Sequence, residues 1–111
     1  MPSIAGGSEV LWRRVMPEQR NPDGSAQSAA FRTGGLCVHR AALTNIAAVI
    51  AAYPTAHLYE FTVQEALAAG ATDVVDDLVA GDPADHAMVL GMTTSGKAKR
   101  LKGVARRVHP P

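Results

Sequence analysis

Residues 36–61 read LCVHRAALTNIAAVIAAYPTAHLYEF, and this stretch decides the fold class. Leu36-Cys37-Val38-His39 is a short apolar run behind the turn residues Thr33-Gly34-Gly35, which predicts a strand over 36–39. Leu43, Ile46, Ala47, Ile50 and Tyr53 follow at helical spacing, so 42–53 is expected to be an amphipathic helix halted before Pro54. Residues 56–61 alternate in the manner of a strand. Strand, helix and strand in this succession permit a right-handed parallel crossover.

Working outward, residues 9–15 predict a first strand bounded by Pro17, with residues 1–7 as a loose leader. One face of that strand carries Leu11, Arg13 and Val15, the other Val10, Trp12 and Arg14. Whichever face meets the core, an arginine lies among apolar side chains and must snorkel, pair with a carboxylate or meet a bound anion. Asn21-Pro22-Asp23-Gly24 has the residues of a tight turn. On the other side, Thr62-Val63-Gln64-Glu65 has capping-box spacing for a helix over 63–69 that stops at Gly70. Val74, Val75, Leu78 and Val79 fit a helical turn over 72–80 better than a strand, and Gly81-Asp82-Pro83 breaks it. Residues 86–91 are nearly all apolar, as in a central strand covered on both faces. Ser95 is expected to cap a last helix over 96–108, ended by His109-Pro110-Pro111. The expectation is a single small α+β domain over 8–111, a mixed sheet packed by about three helices.

Composition sets the bounds. A chain of 111 residues, 47% hydrophobic and 19% charged, is one globular domain's worth, and 20 alanines make much of its core small side chains. A lone cysteine, Cys37, excludes a disulfide-stapled secreted scaffold, and no apolar run is long enough to span a bilayer. A cytoplasmic protein without a membrane partner is the expectation.

The net charge of +1 hides a segregation. Residues 1–96 hold five basic residues against all ten acidic ones, a net −5, whereas residues 97–111 hold six basic residues and no acid. On a helical wheel Ala98, Leu101, Val104, Ala105 and Val108 form one stripe, with Lys99, Arg100, Lys102, Arg106 and Arg107 opposite. Such a helix docks by its apolar stripe and offers a basic face to nucleic-acid phosphates or an acidic protein surface. It carries no aromatic for base stacking. The bland alternative is a solvated face, or one paired with Asp73, Asp76, Asp77, Asp82 and Asp85.

Three other constellations arise. Gly91 to Lys97 matches the first seven positions of a phosphate-binding loop between a predicted strand and helix, but Ala98 stands where the magnesium-binding hydroxyl belongs. What survives is a single-anion site at Thr93, Thr94, Ser95, Gly96 and Lys97. Cys37 and His39 share a strand face, but zinc needs more ligands, for which only His57 and His86 are on offer, so no metal and no cofactor are expected. A pocket of Arg13 or Arg14 with Ser28, Arg32 and His86 could bind a small anion or move protons with the imidazole as shuttle, which would make the chain a small enzyme.

Leu11-Trp12-Arg13-Arg14, Pro22-Asp23-Gly24 with Ser28-Ala29-Ala30-Phe31, and Asp82-Pro83 to Val89 followed by Gly91 and Thr94 to Leu101 together resemble a group of short bacterial proteins of unknown function. The resemblance implies a bacterial source and one domain, and assigns no residue a role. From the residues themselves, the leading expectation is a non-enzymatic binding or accessory module whose basic C-terminal helix contacts an anionic partner. The alternatives are the small enzyme and an oligomeric interaction protein.

Overall fold

The computed structural model describes residues 3–4, 6–76 and 84–111. Six strands form one antiparallel sheet: β1 (Val10–Val15), β2 (Thr33–Arg40), β3 (His57–Thr62), β4 (Asp73–Asp76), β5 (His86–Met92) and β6 (Arg106–His109), in the order β4-β5-β2-β1-β3-β6. Three helices accompany them, α1 (Ile46–Ala52), α2 (Val63–Ala68) and α3 (Ser95–Val104), with a 3-10 helix at Ser28–Phe31. The α+β class is as expected. The sheet is not mixed, because β1 occupies the slot between β2 and β3 and pairs antiparallel with both. The crossover through α1 therefore joins two strands that run parallel but never touch.

Local signals account for most element ends. Thr62 Oγ1 accepts from Glu65 N at 3.1 Å while Glu65 Oε1 accepts from Thr62 N at 2.9 Å, the reciprocal box that starts α2. α1 is shorter than its periodicity, since Asn45 Oδ1 accepts from Ala48 N and fixes the start at Ile46. Gly24, at φ +88°, closes the 21–24 turn onto Asn21 O.

Three expectations are corrected. Asp73–Asp76 is an edge strand rather than a helical turn, with Val74 on the core side and Val75 covered on the other; residues 77–83 lie outside the described residues. The leader is not wholly loose, because Ile4 N donates to Val74 O at 2.8 Å and Ser3 bridges Val75, so the chain start covers the β4 edge. The last helix ends at Val104, not 108: Ala105 turns extended at ψ 142° and residues 106–109 pair with β3.

The sheet has two unequal faces. Leu11, Val15, Leu36, Val38, Phe61 and Val89 point into the main core, closed by Phe31, by Ala66 of α2 and by Ala98 and Leu101 of α3. The opposite face carries a smaller cluster of Trp12, Val49 and Leu58, capped by Ile46, Ile50 and Tyr53 from α1 and by Val108. β5 is thus not covered equally on both faces: Ala87 and Val89 are buried, whereas His86, Met88 and Leu90 are only partly so.

Arg40 ties three strands at one corner. Its Nε and Nη2 donate to the two Glu9 carboxylate oxygens at 2.6 and 2.7 Å, and Asp76 lies 3.4 Å from Nη1. Each side chain is about four-fifths buried, and the Glu9 hydrogen bonds raise the guanidinium's pKa. Arg40→Met is expected to cost about 1–3 kcal/mol in urea unfolding, because a bidentate charged bond is lost and two largely buried carboxylates are left without their cation. A cost under about 0.5 kcal/mol would show the corner to be ordinary surface pairing.

Candidate functional site

α3 is positioned by its N-cap and its apolar stripe. Thr94, not Ser95, is the cap, its Oγ1 accepting from Lys97 N at 3.2 Å. Ala98 and Leu101 are buried against Phe31 and α2, and Arg100 Nε donates to Ala69 O at 3.1 Å, holding α3 to the end of α2. The helix therefore docks by Ala98 and Leu101 of the expected stripe, whereas Val104 is exposed and Ala105 and Val108 lie beyond the helix end, and its basic residues fall on two elements. Lys99, Arg100 and Lys102 lie on α3, whereas Arg106 and Arg107 lie on β6, an edge strand whose charges also discourage further strand pairing.

These cations are not equally available. Arg106 reaches Glu65 Oε2 at 3.2 Å and Glu60 Oε2 at 3.8 Å, an arrangement that raises its own pKa and lowers that of Glu65. Lys99, Lys102 and Arg107 make no ion pair or hydrogen bond among the described residues. The carboxylates expected to neutralise them are engaged elsewhere: Asp73 with Ser3, Asp76 with Arg40 and Asp85 with His39. Asp77 and Asp82 lie outside the described residues.

Between α2 and α3 runs a groove of about 460 Å³. Ala68, Ala69, Gly103 and Val104 make its apolar surface, with Lys99 and Arg100 on one rim and Glu65 on the other. Leu67 on α2 and Val104 on α3 are 44% and 42% exposed, two of the three large hydrophobic residues left in solvent among the described residues. Sequence periodicity foresaw the helices, not the groove, which depends on small alanines on α2 meeting Gly103.

The phosphate-loop residues are arranged differently from the motif. Gly91 takes φ +85°, and Lys97 Nζ donates back to Gly91 O at 3.1 Å, so the lysine closes over its own loop. Thr93, Thr94, Ser95 and Gly96 are exposed, Thr94 is spent on the cap, and Arg32 Nε donates to Thr93 O at 3.3 Å.

The residues of the proposed enzyme pocket do not converge. Arg13 lies on the core face, donating to Ala30 O and Cys37 O at 3.1 Å each, and burial lowers its pKa. Ser28 opens the 3-10 helix and Arg32 follows its end, where its Nε donates to Thr93 O. Arg14 and His86 are on the other face of the sheet: Arg14 sits 3.7 Å over the Tyr53 ring and His86 is directly across from His39. His57 is held apart from both by Arg20, whose Nη1 lies 2.7 Å from His57 Nε2; burial, then Arg20, lowers the imidazole's pKa. Because arginine only donates, that Nε2 accepts. His39, His57 and His86 therefore do not form a ligand triad, and no metal-binding group of three occurs among the described residues.

One pair escaped sequence reading. His39 Nδ1 lies 2.6 Å from Asp85 Oδ2, on the face that also carries Cys37, and His39 is the one buried polar side chain among the described residues. A separation of 46 residues hides such a pair from any spacing rule. Compared with protein-family models, with curated proteins and with solved structures, the chain matches none.

Proposed function

We propose that this domain is a non-enzymatic binding module that takes an acidic, amphipathic segment of a partner protein into the α2–α3 groove. The observation that carries this reading is the pairing of an apolar groove with a basic rim of Lys99, which makes no ion pair among the described residues, and Arg100, with Lys102 following on the same helix. Charged rims steer and orient a partner while an apolar floor supplies the contact area. A nucleic acid would use the charges and leave the floor idle, since no aromatic lines the groove for base stacking. No helix among the described residues is long and apolar enough to cross a membrane. The unpaired Cys37 fits a reducing cytoplasm.

A short amphipathic peptide with Leu and Glu at helical spacing is the probe, with duplex DNA as the competitor. Peptide binding is expected to weaken as salt rises from about 50 to about 500 mM, and to fall roughly tenfold or more in a Lys99→Glu/Lys102→Glu variant. Binding indifferent to salt and to the charge reversal, or tighter binding of DNA than of peptide, overturns the reading.

A further inference from the structure

Cationic side chains from three parts of the chain gather where β3 begins and β6 ends. Arg20, in the loop after β1, lies with Nη1 2.7 Å from His57 Nε2, and its Nη2 donates to Thr55 O, so two bonds fix the guanidinium. Each of those nitrogens carries two hydrogens, and one on each stays uncommitted among the described residues. The loop is held over this end of the sheet by Ala26, which bridges Arg20 and whose N donates to Tyr59 Oη at 3.3 Å. Arg107 approaches from the edge strand. It pairs directly with Tyr59, and His57 stands two residues before Tyr59 on β3, so the three share a face. His109, opposite Leu58, closes β6 beside them.

No carboxylate relieves this concentration of charge. Burial, then Arg20, Arg107 and His109, lower the pKa of His57, and no acid acts in the other direction. Arg20 and Arg107 make no ion pair among the described residues, nor does Glu18 near Arg20, while Glu60 and Glu65 are taken by Arg106. Arg107 is exposed, and Arg20, His57 and His109 are partly so. Like charges held together without a counter-charge repel one another, and an anion seated among them removes that cost.

We propose that Arg20, Arg107 and His109 form a binding site for the dianion of a phosphate monoester, with His57 as the residue that positions Arg20. The class follows from the donors. Two permanently charged guanidiniums match two negative charges and fork onto phosphate oxygens, and the histidine adds a further N–H to the same group. A phosphodiester carries a single charge and leaves one arginine unmet. The site shares no residue with the α2–α3 groove.

Glycerol phosphate and a glycine–phosphoserine–glycine peptide are the probes, at a fixed ionic strength of about 0.1 M and pH 7.5, with dimethyl phosphate as the monoanion. At least one monoester is expected to bind saturably and at least tenfold more tightly than dimethyl phosphate, and the tighter of the two names the carrier of the group. The bound dianion is expected to raise the pKa of His57, followed by its ring ¹⁵N resonances, because it offsets Arg20, Arg107 and His109, the charged groups that face that ring. Arg107→Gln, at an exposed position without a partner, is expected to weaken the monoester at least tenfold with the fold intact, whereas Arg32→Gln removes a charge elsewhere and changes affinity less than twofold. His57→Ala is expected to weaken binding and His57→Gln to restore it, since the amide oxygen accepts from Arg20 in place of Nε2. Dimethyl phosphate bound as tightly as the monoesters, a His57 titration that they leave unmoved, or equal losses in Arg107→Gln and Arg32→Gln overturns the proposal.

Discussion

Replacing Leu101 with alanine is expected to destabilise the domain by about 2–5 kcal/mol, because the side chain is fully buried and its removal loses transfer free energy and leaves a cavity. The cost should fall toward the upper part of that range. Leu101 packs with Ala98 where α3 meets the 3-10 helix Ser28–Phe31 and α2, and alanine-rich neighbours have little side chain with which to fill a void. In a domain of this size each kcal/mol moves the melting temperature by roughly 4 °C, so a fall of about 10 °C or more is expected in a thermal scan. Leu67→Ala, at an exposed position on the neighbouring helix, should stay within about 0.5 kcal/mol. If the two substitutions cost the same, α3 is not docked by its apolar stripe, and the groove beside it loses its wall.

Gly91→Ala is expected to cost about 2–4 kcal/mol, by a different route. Gly91 sits at φ +85°, where a side chain costs about 1–3 kcal/mol of backbone strain. An added Cβ would also lie 2.7 Å from Thr72 Oγ1, 2.8 Å from Thr72 Cγ2 and 3.1 Å from its backbone N. Thr72 cannot simply retreat, since its N donates to Leu90 O at 2.9 Å just before β4 begins. Adding Thr72→Ala should recover part of the loss by removing the two side-chain contacts, leaving the strain. Gly96→Ala makes the contrast: its Cβ meets nothing closer than 3.8 Å within a helix, so a gain of about 0.4–1 kcal/mol is expected. Urea unfolding of the three variants separates strain from contact, and a neutral Gly91→Ala contradicts the positive φ.

Which features were legible in the sequence follows from how local their causes are. The β1 and β5 strands, the α2 capping box and the 21–24 turn are set by residues within a few positions of one another, and each stands where its pattern placed it. The C-terminal helix was overextended because Leu101, Val104, Ala105 and Val108 keep a helical period and no proline interrupts them. Pairing of residues 106–109 with the open edge of β3 outweighs that period, and Gly103 followed by β-branched Val104 weakens the helix just before the break. β4 was misread for a related reason. Val74, Val75, Leu78 and Val79 keep a helical spacing, yet residues 73–76 pair with β5 along one edge and with Ser3 and Ile4 along the other.

The site divides in the same way. That Lys99, Arg100 and Lys102 share a helix was readable from spacing, whereas the engagement of Arg106 with Glu60 and Glu65 depends on strand pairing and was not. Arg13 and Arg14 were correctly seen as a pair that must reach opposite faces. Which partners they find, backbone carbonyls for one and the Tyr53 ring for the other, is settled by elements at least 17 residues away.

The most direct measurement is an amide chemical-shift titration of the whole domain with the acidic amphipathic peptide at low and high salt. Shifts that grow to saturation on Ala68, Lys99, Gly103 and Val104, and fade as salt is raised, are the predicted result. Shifts centred instead on Ala48 and Tyr53 across the sheet, or a pattern that salt leaves unchanged, would contradict the assignment of the α2–α3 groove.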